Sequence, residues 1–276
     1  MSAMEVSTLT KAALRRMFEG GKRFDGRGLL DMRPLTIEFR VSNKAEGSAR
    51  VRLGKTEVLA GVKLAPSAPY PDSPGKGNLI VSGDLFPLAS PRFEAGPPAF
   101  PAIELPRLLD RAIRESHMIK LDKLVITPSE KVWAITIDVY PVNDDGNLVD
   151  AAMIACVAAL KTATVPILGD NGLPDYEQHS TTPVPLAEGI IPLSFSFFKL
   201  GNVLVMDPTR EEEEAMDVRI TFGVSFWNKQ HMINSCQKSG VTPLTRAEVE
   251  RIAALLPQCY DTLNEKLKKF FTNKRL

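Results

Sequence analysis

Residues 47–63 read Gly-Ser-Ala-Arg-Val-Arg-Leu-Gly-Lys-Thr-Glu-Val-Leu-Ala-Gly-Val-Lys, and they carry the strongest structural signal in the chain. Ala49, Val51 and Leu53 alternate with more polar residues, and a second apolar run spans 58–63. A period of two is typical of a strand with one buried face. Lys55-Thr56 separates the two runs, so the pattern predicts a β-hairpin.

Outward from this hairpin, the spacing of apolar residues predicts three helices, at 7–19, 102–119 and 150–164. The third is apolar on nearly all sides, so we expect it to be buried between layers. Residues 66–101 are rich in proline and glycine. They predict a long loop, of the kind that binds a ligand or lies at an interface.

The second half of the chain repeats the order of strands followed by a helix. A polar segment with three prolines, 169–189, predicts a linker. Alternating patterns then predict strands at 192–198, 202–207, 216–226 and 230–238. A helix is expected to begin at Thr245, whose spacing to Glu248 fits a capping box, and Pro257 is expected to kink or interrupt it. Strands before helices in both halves predict an α+β fold.

Composition excludes several classes of protein. The chain of 276 residues has 34 basic and 33 acidic residues, so an RNA-binding site must be a local cluster of cations. Three widely separated cysteines, Cys156, Cys236 and Cys259, predict free thiols in a reducing compartment and no cysteine metal site. The longest apolar run, Ala151–Leu160, is far shorter than a membrane span of about 20 residues. We therefore expect a soluble, cytoplasmic protein.

Several motifs together resemble the RNase PH family, whose members cleave RNA from its 3′ end with phosphate. The hairpin follows Arg23-Phe24-Asp25-Gly26-Arg27, and the similar segments 137–140, 145–151 and 205–213 come later in the expected order. The resemblance implies an RNase PH-like α+β fold with two similarly built lobes, each a mainly antiparallel or mixed sheet packed on helices. It divides the chain into an N-terminal helix and extension (1–30), a first domain (31–168) and a second domain (190–275).

The resemblance also implies a degenerate phosphate site. Active members hold phosphate with Gly-Thr-Arg, which combines a helix N-terminus with a guanidinium group. This chain has Gly146-Asn147-Leu148 there, and Phe100-Pro101 replaces an arginine pair further upstream. The pattern resembles the non-catalytic RNase PH-like ring subunits of the archaeal exosome. We therefore predict that the chain has no catalytic residues of its own.

Two residual acids, Asp207 and Glu213, keep the six-residue spacing of the carboxylates that active relatives use. The run Glu211–Glu214 could bind Mg²⁺ weakly through its oxygens. A solvated turn is the favoured alternative, because such runs usually lie in solvent. The prediction is accordingly no metal site and no cofactor, since Mg²⁺ lacks a clear set of ligands.

Arg107, Arg111 and Arg114 lie at i, i+4 and i+7 of the helix after the long loop, which places them on one face. Such a row can contact successive RNA phosphates. Asp110 and Glu115 flank it, so a salt-bridged surface helix is the alternative. The resemblance favours RNA binding, because it implies that the arginines of this helix face the RNA channel, as they do in exosome ring subunits.

The resulting prediction is a non-catalytic, RNA-binding subunit of the exosome core, a phosphorolytic complex that degrades RNA from 3′ to 5′. The resemblance implies a catalytic RNase PH-like partner in a heterodimer, three heterodimers in a hexameric ring, and RNA-binding cap subunits. The expected ligand is single-stranded RNA. Two alternatives remain open from the sequence: an active phosphorolytic exoribonuclease, and an architectural ring protein without RNA contact.

Overall fold

The computed structural model describes residues 6–94, 96–169, 173–176, 178 and 180–273. The helices are α1 (Thr8–Glu19), α2 (Phe100–Ser116), α3 (Leu148–Thr162), α4 (Arg210–Ala215) and α5 (Arg246–Asn273). The strands are β1 (Leu35–Phe39), β2 (Gly47–Leu53), β3 (Thr56–Ser67), β4 (Asn78–Gly83), β5 (Val125–Thr127), β6 (Lys131–Asn143), β7 (Ile167–Leu168), β8 (Pro174–Asp175), β9 (Leu193–Leu200), β10 (Val203–Met206), β11 (Val218–Trp227) and β12 (Gln230–Ser239).

Two sheets dominate the fold. The first has the order β1-β2-β3-β6-β4, with β5 also on β6, and only β4 runs parallel to its neighbour. The second is antiparallel throughout, with the order β10-β9-β11-β12. The predicted hairpin is β2–β3, in which Leu53 lies opposite Thr56. The predicted α+β fold of two sheet-and-helix lobes is confirmed.

Helix α3 lies between the two sheets. Fourteen of its fifteen residues are buried, which agrees with its apolar sequence. On one side it packs against β2 and β3, so closely that a Cβ on Gly47 would lie 2.3 Å from the carbonyl oxygen of Ala159. On the other side, Asp150 binds Ser196 of β9. The two lobes therefore share one continuous apolar core, and α3 connects them.

The opposite face of the second sheet is covered by α5. Side chains alternate between the faces of a strand, so Lys199 lies on the face away from Ser196 and α3. Lys199 pairs with Glu248 of α5 at 2.7 Å, and Tyr260 donates a hydrogen bond to the Ile191 carbonyl. Helix α1 packs at the β10 edge, where Leu14 and Phe18 join a small apolar cluster of the second lobe.

The predicted long loop at 66–101 is wrong in part, because it contains β4. The run Asn78–Val81 is short and bounded by glycines, so composition hid it within a proline-rich region. Its strand partner is β6, more than fifty residues later, and the pairing is parallel. A parallel partner this distant leaves no hairpin signal in the sequence.

Pro257 does not interrupt α5, which continues from Arg246 to Asn273. The predicted interruption is therefore wrong. Proline removes one backbone donor, and this is tolerated where water can satisfy the freed carbonyl. Pro257 lies on the exposed side of the helix. The predicted start is confirmed, because Thr245 and Glu248 exchange the hydrogen bonds of a capping box.

The predicted linker, 169–189, lies partly outside the described residues. Its described portion pairs β8 with β7 and joins the first lobe through bridges between Thr164 and Pro183 and between Ile119 and Leu186. Among the helices that the structure describes, none has the length and apolar character required to cross a bilayer.

Candidate functional site

The predicted degenerate phosphate site lies at the N-terminus of α3. Gly146 has φ +88°, and a Cβ there would lie 2.6 Å from the Pro208 carbonyl oxygen, so only glycine fits this close approach. Asn147 follows with φ +55° as the residue before the helix. Its side-chain amide donates hydrogen bonds to Asp150 at 3.0 Å and to Asp207 at 2.9 Å.

A carboxylate of the chain itself occupies this helix terminus. The backbone N–H of Asn147 donates to Oε2 of Glu213 at 2.6 Å. Helix N-termini attract anions because their first N–H groups are unpaired and the helix dipole is positive there. Leu148 is buried and contributes no cation. Gly146, Asn147 and Leu148 thus form a closed turn whose anion is Glu213.

Asp207, the other residual acid, is fully buried in a network of arginines. Its two oxygens accept from the backbone N–H of Arg33 at 2.7 Å and from the guanidinium of Arg33 at 2.8 and 3.0 Å. Arg27 adds a contact at 3.3 Å. Burial lowers the pKa of Arg33, but the hydrogen bond and charge of Asp207 outweigh it, so the pKa is raised. Asp207 is therefore bound by the fold and inaccessible to a substrate.

The glutamate run forms a helix, so the favoured expectation of a solvated turn is wrong. Thr209 and Glu212 make a capping box at the start of α4. Glu212 is buried and pairs with Arg23, and Glu214 pairs with Arg210. With Glu213 at the α3 terminus, only Glu211 of the four remains exposed. Within the described residues, no group of three His, Cys, Asp or Glu side chains is arranged to hold a metal ion.

The neighbouring aspartates differ in how their charge is compensated. Asp144 pairs with Arg92 at 2.7 Å, and Asp145 pairs with Arg33 at 3.3 Å. Asp150 is buried among neutral partners, Asn147 and Ser196. Burial raises the pKa of Asp150 to about 7; hydrogen bonds from Ser196 and Asn147 oppose the rise, and the nearby charge of Asp207 adds to it.

The predicted arginine row on α2 divides into two kinds of residue. Arg114 makes two hydrogen bonds to Asp110, at 2.6 and 3.0 Å, and a third to the Leu79 carbonyl at 2.9 Å. Arg107 and Arg111 are exposed, and neither has a hydrogen-bond or ion-pair partner in the part of the chain that the structure describes.

These two guanidinium groups border an open cleft of about 450 Å³. One wall is the end of β4, and the other is formed by residues 102–111 of α2. The lining is Val81, Ser82, Gly83, Asp84, Pro98, Ala102, Ile103, Pro106, Arg107, Asp110 and Arg111. Apolar side chains beside exposed guanidinium groups suit a ligand with anionic groups on an apolar body.

Sequence reasoning assigned no role to Arg23, Arg27 and Arg33, which bind the acids around α3. Two of them belong to the Arg23–Arg27 motif that carried the family resemblance, and this was the available signal. Their partners lie far away in the sequence; Asp207, for example, follows Arg33 by 174 residues. Spacing alone cannot identify such a pair.

Comparison with known proteins agrees with the fold and the motifs. The family model "3' exoribonuclease family, domain 1" matches residues 31–166, and its "domain 2" matches residues 191–255. The chain is 43% identical to "Exosome complex component Rrp42" of Methanosarcina acetivorans over 244 residues, 88% of each protein. It is 41% identical to the protein of that name from Sulfurisphaera tokodaii over 266 residues, 95% of this chain and 94% of the relative.

Solved structures give the same result. A chain of the structure "archaeoglobus fulgidus exosome with RNA bound to the active site" has a TM-score of 0.85 and 37% identity, covering 94% of this chain and 98% of that one. A chain of "Archaeal exosome core" has a TM-score of 0.81 and 33% identity, covering 94% and 96%. The predicted resemblance is confirmed, and the chain belongs to the RNase PH family of 3′ exoribonucleases.

Proposed function

We propose that this protein is a ring subunit of an exosome core, in which it holds RNA and leaves phosphorolysis to a catalytic partner. Two relatives that are more than 40% identical to this chain over the aligned residues are named as exosome components, and the similar solved chains come from archaeal exosomes. The proposed partner is a catalytic RNase PH-like paralogue, with which the chain forms a heterodimer. Three of these heterodimers would form the ring, and RNA-binding cap subunits would bind to it. The proposed location is the cytoplasm, where the free Cys156, Cys236 and Cys259 would stay reduced.

The absence of catalysis is proposed from the α3 terminus. Phosphorolysis requires a site that holds phosphate against the scissile diester by charge and orientation. Here Glu213 takes the backbone donor, Leu148 offers no cation, and Asp207 is buried beneath Arg33. A phosphate ion entering this site would have to displace a carboxylate of the protein and would meet further acids.

RNA binding is proposed from the α2 cleft. Arg107 and Arg111 lie one turn apart, which suits guanidinium groups that grip neighbouring phosphates. The observation that carries the proposed function is the contrast between these exposed arginines, which have no partner among the described residues, and the closed α3 terminus. RNA held at α2 could then continue into the active site of the neighbouring subunit.

The test is charge reversal in the assembled complex. Arg107→Glu combined with Arg111→Glu should weaken binding of single-stranded RNA, measured in phosphate-free buffer so that the RNA stays intact. Each lost phosphate contact should reduce the slope of log affinity against log salt by about 0.7, so the double variant should lose about 1.4. The mass of the complex should not change.

A matched control separates local contact from net charge. Arg16 and Arg251 are exposed arginines on α1 and α5, outside the cleft. Changing both to Glu alters the net charge equally but should leave the salt slope unchanged. If the α2 variant assembles and binds RNA as the wild type does, the protein is an architectural subunit and the proposed RNA contact is wrong.

A further inference from the structure

Arg107 has two acidic neighbours on its own helix that could neutralise it. Residues three or four apart on a helix surface are close enough to form ion pairs. Glu104 precedes Arg107 by three residues, and Asp110 follows it by three. Asp110 also lines the cleft. A carboxylate pairing with Arg107 would occupy the guanidinium face that a phosphate needs.

Both neighbours are bound elsewhere. Asp110 receives two hydrogen bonds from Arg114, at 2.6 and 3.0 Å. Glu104 pairs with Arg219 of β11 at 2.6 Å. Each acid is thus paired with an arginine other than Arg107, and that arginine is less exposed than Arg107.

We propose that Arg114 and Arg219 are positioning residues, which bind the two acidic neighbours of Arg107 and so keep its guanidinium group free for RNA phosphate. This inference rests on the proposed function. It gives Arg114 a role different from the direct RNA contact that the helical spacing predicts. The proposed contribution of Arg114 is indirect, through the orientation and charge of Asp110.

The geometry favours Arg114 over Arg107 as the partner of Asp110. An acid four residues before a basic residue is the better orientation for a helical ion pair. Arg114 is further fixed by its bond to the Leu79 carbonyl on β4. The hydrogen bonds that Arg114 donates to Asp110 raise the pKa of Arg114 and outweigh partial burial, which lowers it. The pair Asp110–Arg114 is therefore formed before RNA arrives.

A double-mutant cycle in the assembled complex tests the inference. Arg114→Gln should weaken binding of labelled single-stranded RNA by up to about fivefold, because Asp110 is released toward Arg107. Its salt slope should fall by about 0.7, as for one lost phosphate contact. Asp110→Asn alone should not weaken binding. When Arg114→Gln is added to Asp110→Asn, RNA affinity should then fall little further. The salt slope of the double variant should return toward the wild-type value.

The outcomes separate this inference from the proposed function. Equal losses from Arg114→Gln in both backgrounds would overturn the inference, since Arg114 would then contact RNA directly or act only through Leu79. Arg219→Gln gives a second, independent cycle with Glu104→Gln, with the same expected recovery. If reversal of Arg107 and Arg111 is itself silent, the proposed function fails and the inference falls with it.

Discussion

The N-terminus of α3 and the exposed side of α2 both combine arginines with acids, but they use them in opposite ways. At α3, Arg33 is buried and its guanidinium is saturated by Asp207 and backbone carbonyls. At α2, Arg107 and Arg111 are exposed and without partners among the described residues. Arginines and acids thus form a buried ion-pair network at α3, whereas at α2 they leave two guanidinium groups accessible to a ligand.

The difference shows how the same residue types form a structural joint when they pair with each other in the interior. At α3, Glu213 accepts a hydrogen bond at the helix terminus, and Asp207 accepts one from the Asn147 side chain beside it. Breaking a buried ion pair by removing one partner is strongly destabilising, because the other charge remains desolvated. Exposed charges contribute little to stability. The two regions should therefore respond very differently to the same substitution.

The largest expected effect is loss of stability at α3. Arg33→Met should lower the free energy of unfolding by about 3–5 kcal/mol, because Asp207 stays buried without its main partner. Arg107→Met, the matched change at α2, should cost less than about 0.5 kcal/mol. Urea denaturation of the two purified variants measures both values. If the two variants lost similar amounts of unfolding free energy, Arg33 would not be a structural residue in contrast to an exposed Arg107.

A second expected effect is a pH dependence that originates at Asp150. Its pKa is about 7 in the folded protein, against the ordinary aspartate value of 3.8, so between these values the folded state keeps a proton that the unfolded state has lost. Stability should therefore fall as pH rises from about 4 to about 7, by at most about 4 kcal/mol, and level off above that. Asp150→Asn should remove this fall, as measured by urea denaturation at several pH values.

Asp217→Asn is the control for that experiment. The pKa of Asp217 is lowered in the fold. Burial raises this pKa, but the hydrogen bonds from Lys11 and Gly201 lower it by more. Its contribution is present above the unfolded pKa and is lost only as pH falls below about 4. The control should therefore leave the slope between pH 5 and 7 intact. An equal slope in wild type and Asp150→Asn would show that Asp150 is ionised in the fold.

The smallest expected effect concerns the carboxylate at the α3 terminus. Glu213→Ala should destabilise the protein by about 1 kcal/mol, because a helix terminus loses its charged acceptor. Glu211→Ala, on the same helix but exposed, should stay within about 0.5 kcal/mol of the wild type. Thermal unfolding of both variants is the measurement. A larger cost at Glu211 than at Glu213 would contradict the role assigned to Glu213.

Much of the fold could be predicted from periodicity. The β2–β3 hairpin and the buried α3 carry strong local patterns, because one buried face or an all-apolar surface is written directly in the sequence. β4 could not be recognised, since its parallel partner β6 is distant and its neighbours are glycine and proline. The continuity of α5 through Pro257 depends on that residue facing solvent, which the sequence does not specify.

The site was predictable only as a set of candidates. Helical spacing placed Arg107, Arg111 and Arg114 on one helix. It did not show which of these arginines would bind Asp110. The change of Gly-Thr-Arg to Gly146-Asn147-Leu148 indicated a lost phosphate site. It did not reveal that Glu213 occupies the position, because that contact joins segments 66 residues apart. Ion pairs between distant segments require the fold before they can be assigned.

The proposed function assigns RNA contacts to this chain and phosphate contacts to its catalytic partner. Steady-state phosphorolysis by the assembled complex that carries Arg107→Glu and Arg111→Glu tests it most directly, with RNA and phosphate varied separately. We expect KM for RNA to rise by about tenfold or more, because two charge-assisted contacts are lost. KM for phosphate should not change. A rise in KM for phosphate, or no change in KM for RNA, would show that Arg107 and Arg111 do not act as RNA contacts.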